Sequence, residues 1–373
     1  MKRKSEMEKR IDFLDLKKQY ADIREEVLRA IENVCENTAF SSGVFVTQFE
    51  NNFASFLGGN VNVAGVNNGT SALHLCMLAL GIGPGDEVIV PANTFIASAW
   101  GPCHAGATPV FTDCDPLTWN IDVKQVRERI TKKTRAIIGV HLYGQPCELD
   151  ELRSIARENN LFLVEDCAQS HGAKYKGKST GTTGDISAFS FYPGKNLGAY
   201  GEAGAVVSHE KTYIDKVRML INQGSGKKYY HETIGYNMRM DGIQAAVLDV
   251  KLRHLAAWTK RRQAIAKIYR ENIRNPKIRM QETPPYAEHV YHLFVITSDD
   301  RDGLMSYLNA HHIFPGIHYP VPIHLQKAFA HLGYRKGDFP NAEFLAEHCL
   351  SLPLYPELSD DSVQYVIEKL NSW

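Results

Sequence analysis

The chain has 373 residues, 44% apolar and 23% charged, enough to bury a large core and to form one large and one smaller domain. Lys plus Arg and Asp plus Glu both count 42, so the formal net charge is zero and nothing global favours nucleic acid or an anionic membrane. No uninterrupted apolar run approaches the roughly 20 residues of a membrane span. The start, MKRKSEMEKR, is basic but lacks an apolar segment, so it reads as a frayed tail rather than a secretory signal. Seven cysteines, an odd number without a CxxC, argue against a disulfide framework or zinc site and for a reducing cytoplasm.

Residues 13–35 carry Leu16, Tyr20, Ile23, Val27 and Ile31 at helical spacing, and Ser41-Ser42-Gly43 breaks the pattern. Phe45, Phe49, Phe53 and Leu57 stripe a second helix, a core pattern rather than a cofactor contact. Residues 61–66 read as a strand, and Asn67-Asn68-Gly69-Thr70-Ser71 leads into a helix over 72–80. Such a strand, glycine turn and helix start leaves free backbone N–H groups at a positive dipole end. It suits a phosphate, and it suits a simple helix cap. After a strand at 87–91 comes Phe95, a flat aromatic that suits stacking on a ring or core packing equally. Strands at 109–113, 136–142 and 161–164 alternate with helices at 123–130 and 149–158, which predicts a mostly parallel sheet. His141, at a strand end, reads as satisfying a turn.

The stretch over 162–208 organises the rest. One apolar run ends on Glu165-Asp166, and a second, 186–192, ends on the turn Pro193-Gly194 followed by Lys195. Ligands of open α/β sheets bind at the carboxyl ends of strands, so a carboxylate and a lysine there make a candidate site. Lys195 suits a Schiff base with pyridoxal phosphate (PLP), and Asp166 suits the pyridine nitrogen, keeping it protonated. Taken alone, the two are also ordinary strand-end charges. Cys167 alternates away from Asp166 and reads as a buried structural thiol. Residues 172–179 fit the G-x-x-x-x-G-K-[ST] pattern, but they start several residues after the strand and run into a turn. A β-hairpin with exposed lysines is expected there, not a nucleotide loop.

A helix over 213–221 precedes a polar, Gly-rich segment, 222–231, read as a mobile loop with a solvated Lys227 and Lys228. Residues 243–275 form one long helical stretch. Beyond 278 the pattern is α+β, with strands at 292–297 and 314–318 and helices at 302–311, 341–348 and 359–369. The histidines of this part share no Cys or carboxylate at ligand spacing, so no metal is expected.

Four ordered segments carry a family resemblance. Glu165-Asp-Cys-Ala-Gln-Ser-His-Gly172 resembles EDxAQxxG, and Ser190-Phe-Tyr-Pro-Gly-Lys-Asn-Leu197 resembles SFxPxKNL. Gly201-Glu-Ala-Gly204 resembles G-[DE]-x-G, and residues 235–246 resemble GxNxRMxxxxAA. Together they are similar to the DegT/DnrJ/EryC1/StrS sugar aminotransferases, in order and spacing over nearly the whole chain. The resemblance implies an α/β, fold type I large domain (11–250) with a mostly parallel seven-stranded sheet, and a smaller C-terminal α+β domain (251–373). It implies PLP held by Lys195 and Asp166, with Gln169 on the ring hydroxyl and Phe95 stacked on the ring. Gly69, Thr70 and Ser190 would hold the phosphate, joined by Asn237 from the neighbouring subunit of a homodimer. Residues 318–324 resemble YPxPxH, which lies near the sugar, so Tyr192, His318, Tyr319 and His324 are the expected sugar ligands. The implied reaction is a two-step transamination from L-glutamate to a nucleotide-linked keto-deoxysugar, at carbon 3 of a dTDP-3-keto-6-deoxyhexose. Amination at carbon 4 is the alternative. A PLP-dependent sugar dehydratase carries histidine where Lys195 stands, and a non-catalytic regulatory protein has no need of Lys195, Asp166 and Gln169 together.

Overall fold

A computed structural model describes residues 10–373, so most of the basic N-terminal stretch lies outside the described residues. Seven short, largely apolar strands build the main sheet: β1 (Asn62–Val66), β2 (Glu87–Pro91), β3 (Thr108–Thr112), β4 (Thr134–Val140), β5 (Phe162–Asp166), β6 (Ile186–Ser190) and β7 (Gly204–Ser208). Their order across the sheet is β1-β7-β6-β5-β4-β2-β3. Only β7 runs antiparallel to its neighbours, pairing Ala64 with Val206 on one side and Ala188 with Val206 on the other. Val140, Asp166 and Ala188 stand side by side across β4, β5 and β6. The runs are apolar on both faces because helices cover both faces.

The helices of this part are α1 (Leu16–Glu36), α2 (Val44–Phe56), α3 (Gly69–Ala79), α4 (Ala97–His104), α5 (Val123–Glu128), α6 (Leu149–Glu158) and α7 (Lys211–Ile221). α3 is apolar nearly all round and, from Ala72 to Ala79, buried except at the partly buried Leu78. α4 was not anticipated, because Gly101 and Pro102 argue against a helix. Close packing explains the glycine: a Cβ on Gly101 would stand 2.9 Å from Leu73 Cβ.

The helix α8 (Gly242–Asn272) runs from the first core into a second. There α9 (Arg301–Ala310), α10 (Pro340–His348) and α11 (Asp360–Ser372) accompany a three-stranded antiparallel sheet. Its strands are β8 (Ile278–Met280), β9 (Phe294–Ser298) and β10 (Cys349–Leu352), in that order. Ile11 packs in this second core, its N–H donating to His312 O at 2.8 Å.

Three expectations change. The strand expected over 314–318 is replaced by an irregular segment with single bridges from Ile313 to Ile11 and from Gly316 to Ser351, since Pro315 has no N–H for a ladder. The segment over 222–231, expected as a loop, contains a small hairpin of Ser225–Lys227 and Tyr230–His231. β10 was missed, because it is only four residues long and Pro353 follows it directly. The pattern at 172–179 forms a hairpin of Lys174–Tyr175 and Lys178–Ser179. Among the described residues no helix is long and apolar enough to cross a membrane.

Candidate active site

Parallel strands bring their carboxyl ends to one edge of the sheet, and a cavity of about 860 Å³ opens there. Ten residues singled out from the sequence line it: Gly69, Thr70, Phe95, Asp166, Gln169, Ser190, Tyr192, Lys195, His318 and Tyr319.

At one end stands the start of α3. Asn68 caps the helix, its Oδ1 accepting from Ser71 N at 2.8 Å. Among the described residues the Gly69 and Thr70 amides have no protein acceptor and are left toward the cavity. Gly69 must be glycine here, because a Cβ would stand 2.5 Å from Ser190 Cβ. That contact sets the Ser190 hydroxyl beside the free amides, a cradle for an anion.

Asp166, at the end of β5, is 5% exposed. Its Oδ2 accepts from Ser98 Oγ at 2.7 Å and its Oδ1 from Ala168 N at 3.1 Å, while Thr94 Oγ1 meets the same Ser98 at 2.9 Å. Ser98, from the unanticipated α4, was missed as a partner of Asp166. Glu165 alternates to the other face and is fully buried. It accepts from the amides of Gly181, Thr183 and Gly184 at 2.6–2.8 Å and meets His141 Nε2 at 2.9 Å. Burial would raise its pKa, but the His141 bond and the amides outweigh this and hold the carboxyl below its ordinary range. His141, Glu165 and Cys167 lie close enough to suggest a metal. The Glu165 oxygens are already taken, however, and Cys147 N donates to His141 Nδ1 at 3.2 Å, so the cluster is a closed hydrogen-bond network. Burial pushes the Cys167 thiol up to about 12, which makes it an inert neighbour.

Lys195 follows β6 on the turn 193–195, its N–H donating to Tyr192 O at 2.8 Å. Lys195 is partly buried and lines the cavity, and burial lowers its pKa to about 8 against the opposing pull of Asp166. The nearby imidazoles are neutral. Burial, then the charge of Lys195, brings His318 to about 4 and His171 to about 3, and holds His292 well below its ordinary value. A lysine with few cationic neighbours and a near-neutral pKa can act as nucleophile and as proton carrier.

Gln169 is fixed at both ends, Oε1 accepting from Tyr143 N at 2.6 Å and Nε2 donating to Tyr319 Oη at 3.1 Å. Tyr143 sits at φ 62°, an uncommon place for a bulky residue, and its hydroxyl donates to His318 O at 2.6 Å. Phe95 is half exposed, 5.5 Å from the Tyr319 ring centre. Two expected residues lie elsewhere. His324 is buried in a short turn, Nε2 at 3.0 Å from Glu343 Oε1, and does not line the cavity. Asn237 is exposed outside the cavity of its own chain, although the adjacent Met238 lines it.

These groups fit PLP. The open amides and Ser190 suit its phosphate, Asp166 its ring nitrogen, and Lys195 its aldehyde.

Comparison with known proteins agrees. Residues 21–371 match the DegT/DnrJ/EryC1/StrS aminotransferase family. The chain is 43% identical over 365 residues to the dTDP-3-amino-3,4,6-trideoxy-alpha-D-glucose transaminase of Streptomyces venezuelae, covering 98% of this chain and 96% of that one. It is 42% identical to the dTDP-3-amino-3,6-dideoxy-alpha-D-galactopyranose transaminase of Aneurinibacillus thermoaerophilus, covering 97% and 99%. The crystal structure of S. venezuelae DesV in complex with a ketimine intermediate superposes with a TM-score of 0.95, at 43% identity and 98% coverage of both chains. The chain therefore belongs to the DegT/DnrJ/EryC1/StrS aminotransferase family.

Proposed function

We propose that the protein uses PLP to move an amino group from L-glutamate to carbon 3 of a dTDP-3-keto-6-deoxyhexose, for amino-sugar biosynthesis. The observation that carries this reading is one cavity holding a lysine of near-neutral pKa, a buried carboxylate and an open helix start. The likeness to two dTDP-3-amino-sugar transaminases supports the choice of carbon 3. Bound PLP supplies an aldehyde and an electron sink. Asp166, held by Ser98, keeps the ring nitrogen protonated. Gln169, held by Tyr143, orients toward the ring hydroxyl, with Phe95 against the ring. Gly69, Thr70 and Ser190 bind the phosphate, with Asn237 contributed across a homodimer. Lys195 Nζ would carry a proton from Cα of the amino donor to the cofactor's former aldehyde carbon, and in the second half-reaction from that carbon to carbon 3 of the keto sugar. Tyr192, His318 and Tyr319 line the sugar's side of the cavity. The two units meet in α8 near residue 250, and the seven free cysteines fit a cytoplasmic location.

The test is NMR of the product formed from L-glutamate and dTDP-3-keto-6-deoxyglucose or its galacto epimer. Nitrogen on carbon 3 is the expected result. Turnover only of a 4-keto sugar would keep the transaminase and discard the assigned carbon.

A further inference from the structure

α8 carries two buried cations, Lys251 and Arg262, 1% and 4% exposed. Neither makes an ion pair among the described residues; both donate to backbone carbonyls. Lys251 Nζ donates to Gly198 O and lies 5.1 Å from the centre of the Tyr200 ring, while Glu357 acts on it through its charge without an ion pair among the described residues. Arg262 Nη1 donates to Leu354 O at 2.9 Å and to Tyr291 O at 3.2 Å. Burying an ammonium beyond ion-pair reach of a carboxylate costs several kcal/mol, and an apolar side chain would fill the same space at less cost. Burial accordingly lowers Lys251 to about 8, with Glu357 opposing.

The acceptor shows what the ammonium does. Gly198 closes the loop that carries Lys195: a Cβ on it would stand 2.3 Å from Pro193 O, so the loop folds back on itself. Ala199 N donates to Phe191 O at 2.8 Å and seals the base. On the other flank Asn196 Nδ2 donates to Val290 O at 3.2 Å, and Asn196 Oδ1 meets His292 Nδ1 at 3.2 Å. Arg262 holds the carbonyls of that same segment. Both sides of the loop thus lead back to α8.

We propose that Lys251 is a positioning residue for Lys195, anchoring the Gly198 carbonyl and so setting where the Lys195 amine stands in the cavity. This rests on the reading of Lys195 as the PLP lysine. A small shift of a reacting group can cost about a hundredfold in rate.

The full chain loaded with PLP tests it, as wild type, Lys251→Met, Lys251→Gln and Lys251→Arg. Three quantities are read: the pH midpoint of the visible PLP band, the rate of the glutamate half-reaction, and the glutamate KM. Lys251→Met should move the midpoint and slow the half-reaction about tenfold or more, with KM changed by less than about twofold. Lys251→Gln, which keeps a donor for Gly198 O, should recover most of that rate. A Met variant equal to wild type in midpoint and rate overturns the proposal. So does a Gln variant as slow as Met, which would mark a general packing defect. If the Met variant does not fold, Lys251→Arg decides: like Gln it keeps a donor for Gly198 O, so it should keep the wild-type midpoint and most of the rate, and a tenfold or greater loss overturns the proposal. A wild type with no visible band fails the PLP reading itself, a separate result.

Discussion

Replacing Gly69 with alanine sets helix propensity against packing. Alanine in a helix gains up to about 1 kcal/mol over glycine. Its Cβ, however, would lie 2.5 Å from Ser190 Cβ and 3.0 Å from Ser190 Cα and Oγ. Carbon atoms pack at about 3.5–4.0 Å, so α3 and β6 must part by about 1 Å. Overpacking of that kind costs about 1–3 kcal/mol, so the clash outweighs the propensity. The same movement draws the Gly69 and Thr70 amides and the Ser190 hydroxyl out of register. Losing one hydrogen bond to a charged group costs about 1.5–3 kcal/mol, or about tenfold to a hundredfold in Kd. The assay is titration of the apo protein with PLP and with pyridoxal, which lacks the phosphate, alongside thermal unfolding. PLP should lose the affinity and pyridoxal should not. Gly83→Ala is the control, since its Cβ would meet only Ala105 O at 3.6 Å. A Gly69→Ala protein that melts like wild type and keeps the same PLP-to-pyridoxal preference would refute the reasoning.

Lys195→Ala should lose about 10⁴-fold in transamination, read by glutamate-dependent product formation; retained turnover would remove Lys195 from the mechanism. Because burial lowers Lys195 to about 8, roughly a tenth of the apo protein carries the neutral amine at pH 7. Its labelling by an amine-reactive probe should rise through pH 8 and level off above it, and a midpoint near the ordinary lysine value would contradict this. Asp166→Asn should slow turnover by about a hundredfold or more while PLP still binds, seen as a visible band without matching activity. Glu165→Gln places an amide N–H₂ against donors and leaves at least one buried amide unpaired. The expected loss is about 3 kcal/mol in a urea titration, and an unchanged midpoint would sink the idea.

Much of the sheet could be read from the chain because its strands are short apolar runs between Gly- and Asx-rich turns. Each strand of the sheet whose bounds were expected begins and ends within two residues of them. The cavity residues clustered in two places, the turn after β1 and the segment from Glu165 to Lys195, where chemistry-bearing types follow strand ends directly. What stayed hidden depends on distant partners. Ser98 matters because α4 brings it to Asp166, 68 residues away in the chain, and no local spacing announces that. Tyr143 looks like a turn residue until its amide and hydroxyl are seen to join Gln169 to His318. His324 was expected as a ligand from the resemblance of 318–324 to YPxPxH, but a short buried turn gives its ring to Glu343 instead. Lys251 gave no signal, since a lysine in a long amphipathic helix is ordinarily solvated.

The adjacent carboxylates Glu165 and Asp166 show why the candidate site is built at this strand end. Alternation sends them to opposite faces of the sheet, so one strand terminus serves two tasks. Glu165 receives the amides of a turn that must pass behind the sheet, and with His141 it ties β4, β5 and the 181–184 loop together. Asp166 is left with one hydroxyl and one amide donor, enough to fix its rotamer but not to use up its acceptors. A carboxylate so fixed, yet still able to accept, can hold a protonated ring nitrogen in one plane. Exchanging the order of the two residues would keep the composition and the charge. It would put the longer side chain into the cavity and the shorter one out of reach of its amides, losing both tasks at once.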